Sequence, residues 1–229
     1  MEITTLNPFK KAARLLSNRL LHTGSVLDVR HWVGACMTEV DLHLPETDMH
    51  QWQDVPYIKF RVGPFAYRDY TPFGWDADTS TCSLLVDTGH QGPGSDWAKQ
   101  LQPQDKVQYL KVDSTRQSPH PTDLVVGLGD SSSLAHLLAL RQLTLPQRRF
   151  DGAVMLNNQA QVELLQDYFS VQFTNLHNVQ HFAAWLVEQP YCQQHSRFYI
   201  TGANRLVSGL RKELRAKGFE HIKIKGFWE

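Results

Sequence analysis

The pattern of apolar residues changes near residue 113, and that change constrains the fold more than any other feature. From 24 to 112 the chain runs in short segments rich in Val, Thr, Tyr and Phe. These are Ser25–Trp32, Met37–Leu44, Tyr57–Val62, Phe65–Tyr70, Thr81–Thr88 and Lys106–Val112, punctuated by Pro, Gly and Asp. With a single brief helix expected at Ser95–Leu101, this half reads as an antiparallel β-barrel or sandwich. A polar stretch, Asp113–Thr122, follows and reads as a linker. Beyond it strands and helices alternate. Strands are expected at Asp123–Gly129, Asp151–Asn157, Val171–Thr174, Arg197–Gly202 and His221–Phe227. Helices are expected at Ser133–Arg141, Gln161–Phe169, Gln180–Glu188 and Arg205–Lys217. That alternation predicts a parallel sheet with helices on both faces. The chain therefore divides into an all-β domain over 1–117 and an α/β domain over 118–229.

Composition narrows the function. Lys plus Arg and Asp plus Glu stand at 23 each in 229 residues, a formal net charge of zero. Nucleic acid is thus not expected as a partner through bulk phosphate attraction. Cys36, Cys82 and Cys192 form no Cys-x-x-Cys pair and read as free thiols of a reducing compartment, the cytoplasm. Phe9, Ala13, Leu16 and Leu20 recur at helical spacing among Lys10, Lys11, Arg14 and Arg19, an amphipathic helix packed on its own domain. No apolar run is long enough to span a membrane. The histidines are scattered without a Cys/His cluster, so no metal site is expected. A Gly-x-Ser-x-Gly elbow is absent. A monomer is expected.

Two segments carry chemistry in the first half. Arg68-Asp69-Tyr70-Thr71 places a permanent planar cation, a flat amphipathic ring and a hydroxyl within four residues. Gly92-Pro93-Gly94-Ser95 turns into a helix expected to open at Ser95, where the serine can cap and backbone N–H groups can receive phosphate. Trp97 follows two residues later. Read plainly, the first segment is a half-exposed strand and the second a tight turn before a capped helix. In the second half, Leu124–Ser133 ends a buried strand in Gly129-Asp130-Ser131-Ser132, the place for a nicotinamide dinucleotide or simply a serine-capped helix. Thr201-Gly202-Ala203-Asn204-Arg205 forms the last such turn. Arg205 and Arg211 can meet a 2′-phosphate, favouring NADPH slightly, or belong to a solvated helix face. In the final strand His221, Lys223 and Lys225 share one face. They form either an anion-attracting surface or a protected edge.

Taken in order, these pieces resemble the siderophore-interacting proteins, the ferric-siderophore reductases of the ferredoxin-reductase-like superfamily. The resemblance runs from about residue 24 to the end. It rests on Arg68-Asp69-Tyr70-Thr71, Gly92–Ala98, Gln104-Asp105, Gly129-Asp130-Ser131 and the terminal Gly226-Phe227-Trp228. It implies FAD held by Arg68 at the pyrophosphate, Tyr70 stacked on the ring and Thr71 near its reactive nitrogen, with Asp69 in the same motif. Asp87 or Thr88 stands where relatives carry a His toward the adenylate. Gly92, Pro93, Gly94, Ser95 and Trp97 would complete the cradle. Gly129, Asp130, Ser131, Ser132, Gly202, Asn204 and Arg205 would take NAD(P)H, although Ala203 replaces the usual acidic residue. Lys223, Lys225 and Trp228 would face a ferric-siderophore substrate. The implied reaction passes hydride from nicotinamide to flavin and then single electrons to Fe(III). Two alternatives stay open: electron transfer to a protein carrier, or a flavin-binding module without nicotinamide-dependent turnover.

Overall fold

The computed structural model describes residues 21–144, 149–171 and 173–228, with the side chain of Trp228 excepted. The helix expected over Phe9–Leu20 lies outside them. The first half forms β1 (His22–Trp32), β2 (Met37–His43), β3 (Pro56–Arg61), β4 (Tyr67–Tyr70), β5 (Pro72–Asp76), β6 (Thr81–Asp87), α1 (Pro93–Gln100) and β7 (Lys106–Ser114). Its strands make one seven-stranded sheet in the order β4-β3-β7-β1-β2-β6-β5, every pairing antiparallel. Strict alternation builds its core: Val40, Leu42 and Leu44 from β2 and its end, Ile58, Phe60 and Val62 around β3, and Cys82, Leu84 and Val86 from β6. Strand β5 was not expected, because Pro72 and Gly74 interrupt the strand pattern. It is tolerated as an edge that pairs only with β6, with a register shift between Phe73 and Asp76.

The second half forms β8 (Leu124–Asp130), α2 (Leu134–Thr144), β9 (Phe150–Met155), α3 (Gln159–Glu163), β10 (Thr174–Asn175), α4 (Val179–Glu188), β11 (Ser196–Ala203), α5 (Asn204–Ala216) and β12 (Ile222–Trp228). The sheet order is β10-β9-β8-β11-β12, parallel throughout. The helix expected over Gln161–Phe169 instead leaves the α-geometry after Glu163. It finishes as a π-turn, Leu164–Tyr168, with Phe169 N donating to Leu164 O at 3.2 Å. Alternation again divides the faces. Val125, Val154 and Tyr199 meet α2 and α3, whereas Val126, Leu128, Ala153, Phe198 and Ile200 meet α4 and α5. The strand order reverses direction between β8 and β11, which opens a crevice beyond their carboxyl ends. Among the described residues no helix is long and apolar enough to cross a membrane.

Helix α2 joins the halves. Leu134, Ala135, His136, Leu137, Leu138, Ala139 and Leu140 are all buried, a helix apolar nearly all round because sheet lies on both sides of it. Its second neighbour is the outer face of the first sheet, where Ala35, Met37, Phe73 and Leu85 enter the same core. Gln142 Nε2 donates to Trp75 O at 3.0 Å and Gln161 Nε2 to Ala35 O at 3.0 Å, both across the junction. The polar stretch read as a linker is also pinned. Val55 N donates to Gln117 O at 3.0 Å, and Tyr199 Oη donates to Ser118 O at 2.6 Å.

Leu137 is fully buried in this shared core. Leu137→Ala is expected to cost about 2–5 kcal/mol. Urea unfolding followed separately by a probe in each half should show both midpoints falling together.

Candidate functional site

The junction leaves a cleft of about 570 Å³ between the sheets. On the barrel side, the end of β4 presents Arg68, Tyr70 and, just beyond it, Thr71. Residues two apart on a strand share a face, so Arg68 and Tyr70 both reach the start of α1. A Cβ at Gly94 would stand 2.3 Å from Tyr70 Oη and 3.3 Å from Arg68 Cγ, so a side chain there would collide with the tyrosine. The Tyr70 ring stacks on Trp97, with centroids 5.7 Å apart and planes 15° from parallel. Trp97 thus supports the ring and does not itself line the cleft. Burial pushes the Tyr70 hydroxyl up to about 12, which keeps it protonated. Arg68 is exposed; its Nη1 donates to Tyr67 O at 2.8 Å, and no carboxylate pairs with it among the described residues. Asp69 is paired with Lys59 at 2.9 Å.

Helix α1 opens at Pro93, two residues before the expected Ser95. Gly92 is its N-cap and supplies no side-chain bond. Proline suits the first helical position because the N–H it lacks would be unpaired there. The first-turn N–H groups that remain belong to Gly94 and Ser95. Ser95 does not cap the helix; its hydroxyl donates to Asp87 O at 3.3 Å, fixing α1 to the end of β6. Asp87 lines the cleft and accepts from Gly89 N at 2.8 Å. Thr88 is buried, its N–H on Cys36 O at 2.8 Å, and is not among the lining residues.

On the other side, side chains expected to face a ligand are bound to one another. The Asp130 carboxylate accepts from Ser132 N at 3.1 Å, from the Ser132 hydroxyl, and from Ala203 N at 2.8 Å. Asp130, and not a serine, is therefore the cap, and it ties the turn after β8 to the turn after β11. Gly202 makes this approach possible. It sits at φ 127°, and a Cβ there would lie 2.5 Å from Asp130 Oδ2. Ser131 Oγ accepts from Asn157 Nδ2 at 2.9 Å. Of Gly129, Asp130, Ser131 and Ser132, only Ser132 lines the cleft. Gly202, Asn204 and Arg205 do not; Arg205 is exposed on α5. On β12 the lysines part company. Lys225 lines the cleft with Nζ 5.3 Å above the Tyr57 ring. Lys223 lies outside it, donating to Ser118 O at 3.2 Å. The Trp228 side chain is outside the described residues.

Sequence reasoning missed His136, Phe227 and Tyr57, which also line the cleft. A lone histidine in a leucine-rich helix reads as core. His136 is indeed 1% exposed, with Nε2 2.6 Å from Gln117 Oε1 and the Phe227 ring edge-on at 5.9 Å. Burial first, and then the Lys225 cation, push its pKa down to about 3. Phe227 stood within the terminal motif but was not singled out.

No protein-family profile and no curated protein matches this chain. Solved structures do. A ferredoxin NADP+ reductase from Neisseria gonorrhoeae with bound FAD and NADP superposes with a TM-score of 0.72 at 14% identity, over 90% of this chain and 98% of that one. The siderophore-interacting protein from Aeromonas hydrophila gives 0.68 at 15%, over 91% of each chain. Full-length CYP116B46 from Tepidiphilus thermophilus gives 0.73 at 12%, over 97% of this chain but 32% of that one. An antiparallel barrel, a parallel sheet flanked by helices and a shared cleft between them give this chain the ferredoxin-reductase-like fold, a β-barrel followed by a Rossmann-like domain.

Proposed function

We propose that this chain is a flavin-dependent NAD(P)H oxidoreductase that reduces Fe(III) held by a siderophore. One observation carries the reading: a single cleft collects Arg68, Tyr70 and Thr71, the opening turn of α1, and Lys225 with Phe227. Its volume falls in the range of small-molecule sites, about 300–1,000 Å³. The residues fit an aromatic, phosphorylated ligand. Arg68 and the N–H groups of Gly94 and Ser95 would hold a pyrophosphate. Tyr70, held flat by Trp97, would support the isoalloxazine, with Thr71 at its edge and Asp87 toward the adenylate. A bound flavin supplies the exchange between two-electron nicotinamide chemistry and one-electron metal chemistry.

The chain's own contribution is position, exclusion of water and charge. The barrel wall and α2 close the cleft from two sides. Tyr70 stays protonated and so donates without taking a proton. Lys225, over Tyr57 and without a carboxylate partner among the described residues, draws an anionic ferric chelate toward the cleft. Lys223 adds to that field from outside it. The nicotinamide would approach Ser132, with Gly129, Asp130 and Gly202 shaping the turns and Asn204 and Arg205 at the rim. Arg205 is the residue that would favour NADPH. We assign these roles to a monomer working in a reducing cytoplasm, consistent with unpaired Cys36, Cys82 and Cys192, and divide its domains at 117/118.

The purified chain is expected to be yellow or to take up FAD, with nicotinamide bleaching the flavin anaerobically. A colourless chain that binds no flavin overturns the reading. Gly94→Ala should displace Tyr70 and weaken FAD at least about tenfold, the effect of losing some 1.4 kcal/mol, as read by flavin fluorescence titration. Steady-state assays should show ferric catecholates reduced faster than a ferredoxin; the reverse preference favours the protein-carrier reading. Lys225→Ala should raise KM for an anionic ferric chelate about fivefold at low salt, with little change for a neutral one. Salt should erase the difference.

A further inference from the structure

Among the described residues, His136 is the only cleft-lining side chain with a buried polar atom that lacks a hydrogen-bond partner. Its two ring nitrogens differ. Nε2 faces Gln117 Oε1 at 2.6 Å; with the amide turned this way, its own Nε2 having no partner, the oxygen can only accept and the histidine Nε2 carries the proton. A neutral ring then leaves a bare lone pair on Nδ1. Charging the ring does not relieve this, because burial and Lys225 hold its pKa near 3. The backbone carbonyl of Gln117 accepts from Val55 N at 3.0 Å, and Phe227 stands edge-on against the imidazole at 5.9 Å. Buried acceptors are almost always supplied with a donor. This one belongs to a side chain that lines the cleft beside Ser132 and Thr115, where a ligand would supply it.

We propose that His136 Nδ1 is a recognition point for an N–H donor on the heterocycle that enters the cleft, an amide or imide N–H beside a carbonyl. The inference rests on the flavin reading and deepens it. Two heterocycles bring such a donor: the flavin through the imide N–H of its pyrimidine ring, and nicotinamide through its carboxamide. A histidine locked neutral accepts from either and repels neither, whereas an imidazolium would offer a second donor to a donor. Gln117 then acts as a positioning residue, fixing the tautomer from the far side of the ring.

The test compares each parent with an analogue in which a methyl group takes the donor's place: FAD against 3-methyl-FAD, and NADP+ against its 3-acetylpyridine analogue. Dissociation constants are measured for the full chain and for His136→Leu and His136→Asn. One hydrogen bond to a buried neutral acceptor corresponds to about a tenfold change in affinity. The unaltered chain is expected to bind one analogue about tenfold more weakly than its parent, and His136→Leu should bind the two alike. His136→Asn, which keeps an acceptor, should restore part of the discrimination. The analogue that is rejected identifies the ring. Equal affinity for parent and analogue in both pairs overturns the proposal, as does discrimination that survives in His136→Leu. Nitrogen-15 spectra of the unaltered chain cover the case in which His136→Leu does not fold. Nδ1 should resonate as an unprotonated nitrogen and shift when the preferred parent is added. A protonated Nδ1, or no response to either parent, overturns it. If FAD does not bind while the nicotinamide pair still discriminates through His136, the flavin reading fails and the recognition role stands.

Discussion

A helix with almost no solvent face organises this molecule. Helix α2 lies between two sheets, and its leucines serve one core that both halves line. The apolar outer faces of β5 and β6 make sense only in its presence, since Phe73 and Leu85 would otherwise meet water. The cleft follows from the same contact. Where α2 begins, its first turn and the connecting segment stand apart from α1, and the space between them receives side chains from both halves of the chain.

The two ends of that cleft differ in how much of their hydrogen bonding is already used. On the barrel side, among the described residues, Arg68 bonds only to the neighbouring backbone carbonyl, and the first-turn N–H groups of α1 have no intrahelical acceptor. On the α/β side, Asp130 is consumed by Ser132 and Ala203, and Ser131 by Asn157. The barrel side thus offers polar groups in readiness. The other side offers mainly shape and backbone, with His136 as the exception. The N–H of Ala203 donates to Asp130 and so holds the turn after β11 against the turn after β8.

Much of this was legible in the residues. Alternating Val, Leu and Ile fixed the faces of β2, β3 and β6, and the shift in periodicity after Asp113 separated the two sheets. Arg68, Tyr70, Gly94 and Lys225 were recognisable because their side-chain types, or the lack of one, suit a ligand whatever surrounds them. The rest depended on tertiary contact. Pro72 and Gly74 conceal β5 because only an unpaired edge makes them harmless. Lys223 and Lys225 alternate identically in sequence, yet Ser118 claims one and leaves the other at the cleft. His136 looks like an ordinary core residue until the segment carrying Gln117 is folded against it. Asp130 was expected to meet a ligand, because sequence shows a carboxylate at the right turn without showing Ala203 across from it.

The shared core also bears on recombination between proteins of this architecture. An exchange of halves cut in the connecting segment would bring α2 against a foreign sheet. Its apolar surface would meet side chains not selected to fill it, while the retained barrel would carry Phe73, Leu85 and Met37 uncovered. A functional chimera would need to carry α2 together with the β5–β6 face that receives it, and the segment holding Gln117 and Ser118 as well. The unit of inheritance in this chain is therefore the joint between its domains, and sequence drift on one side of that joint must be matched on the other.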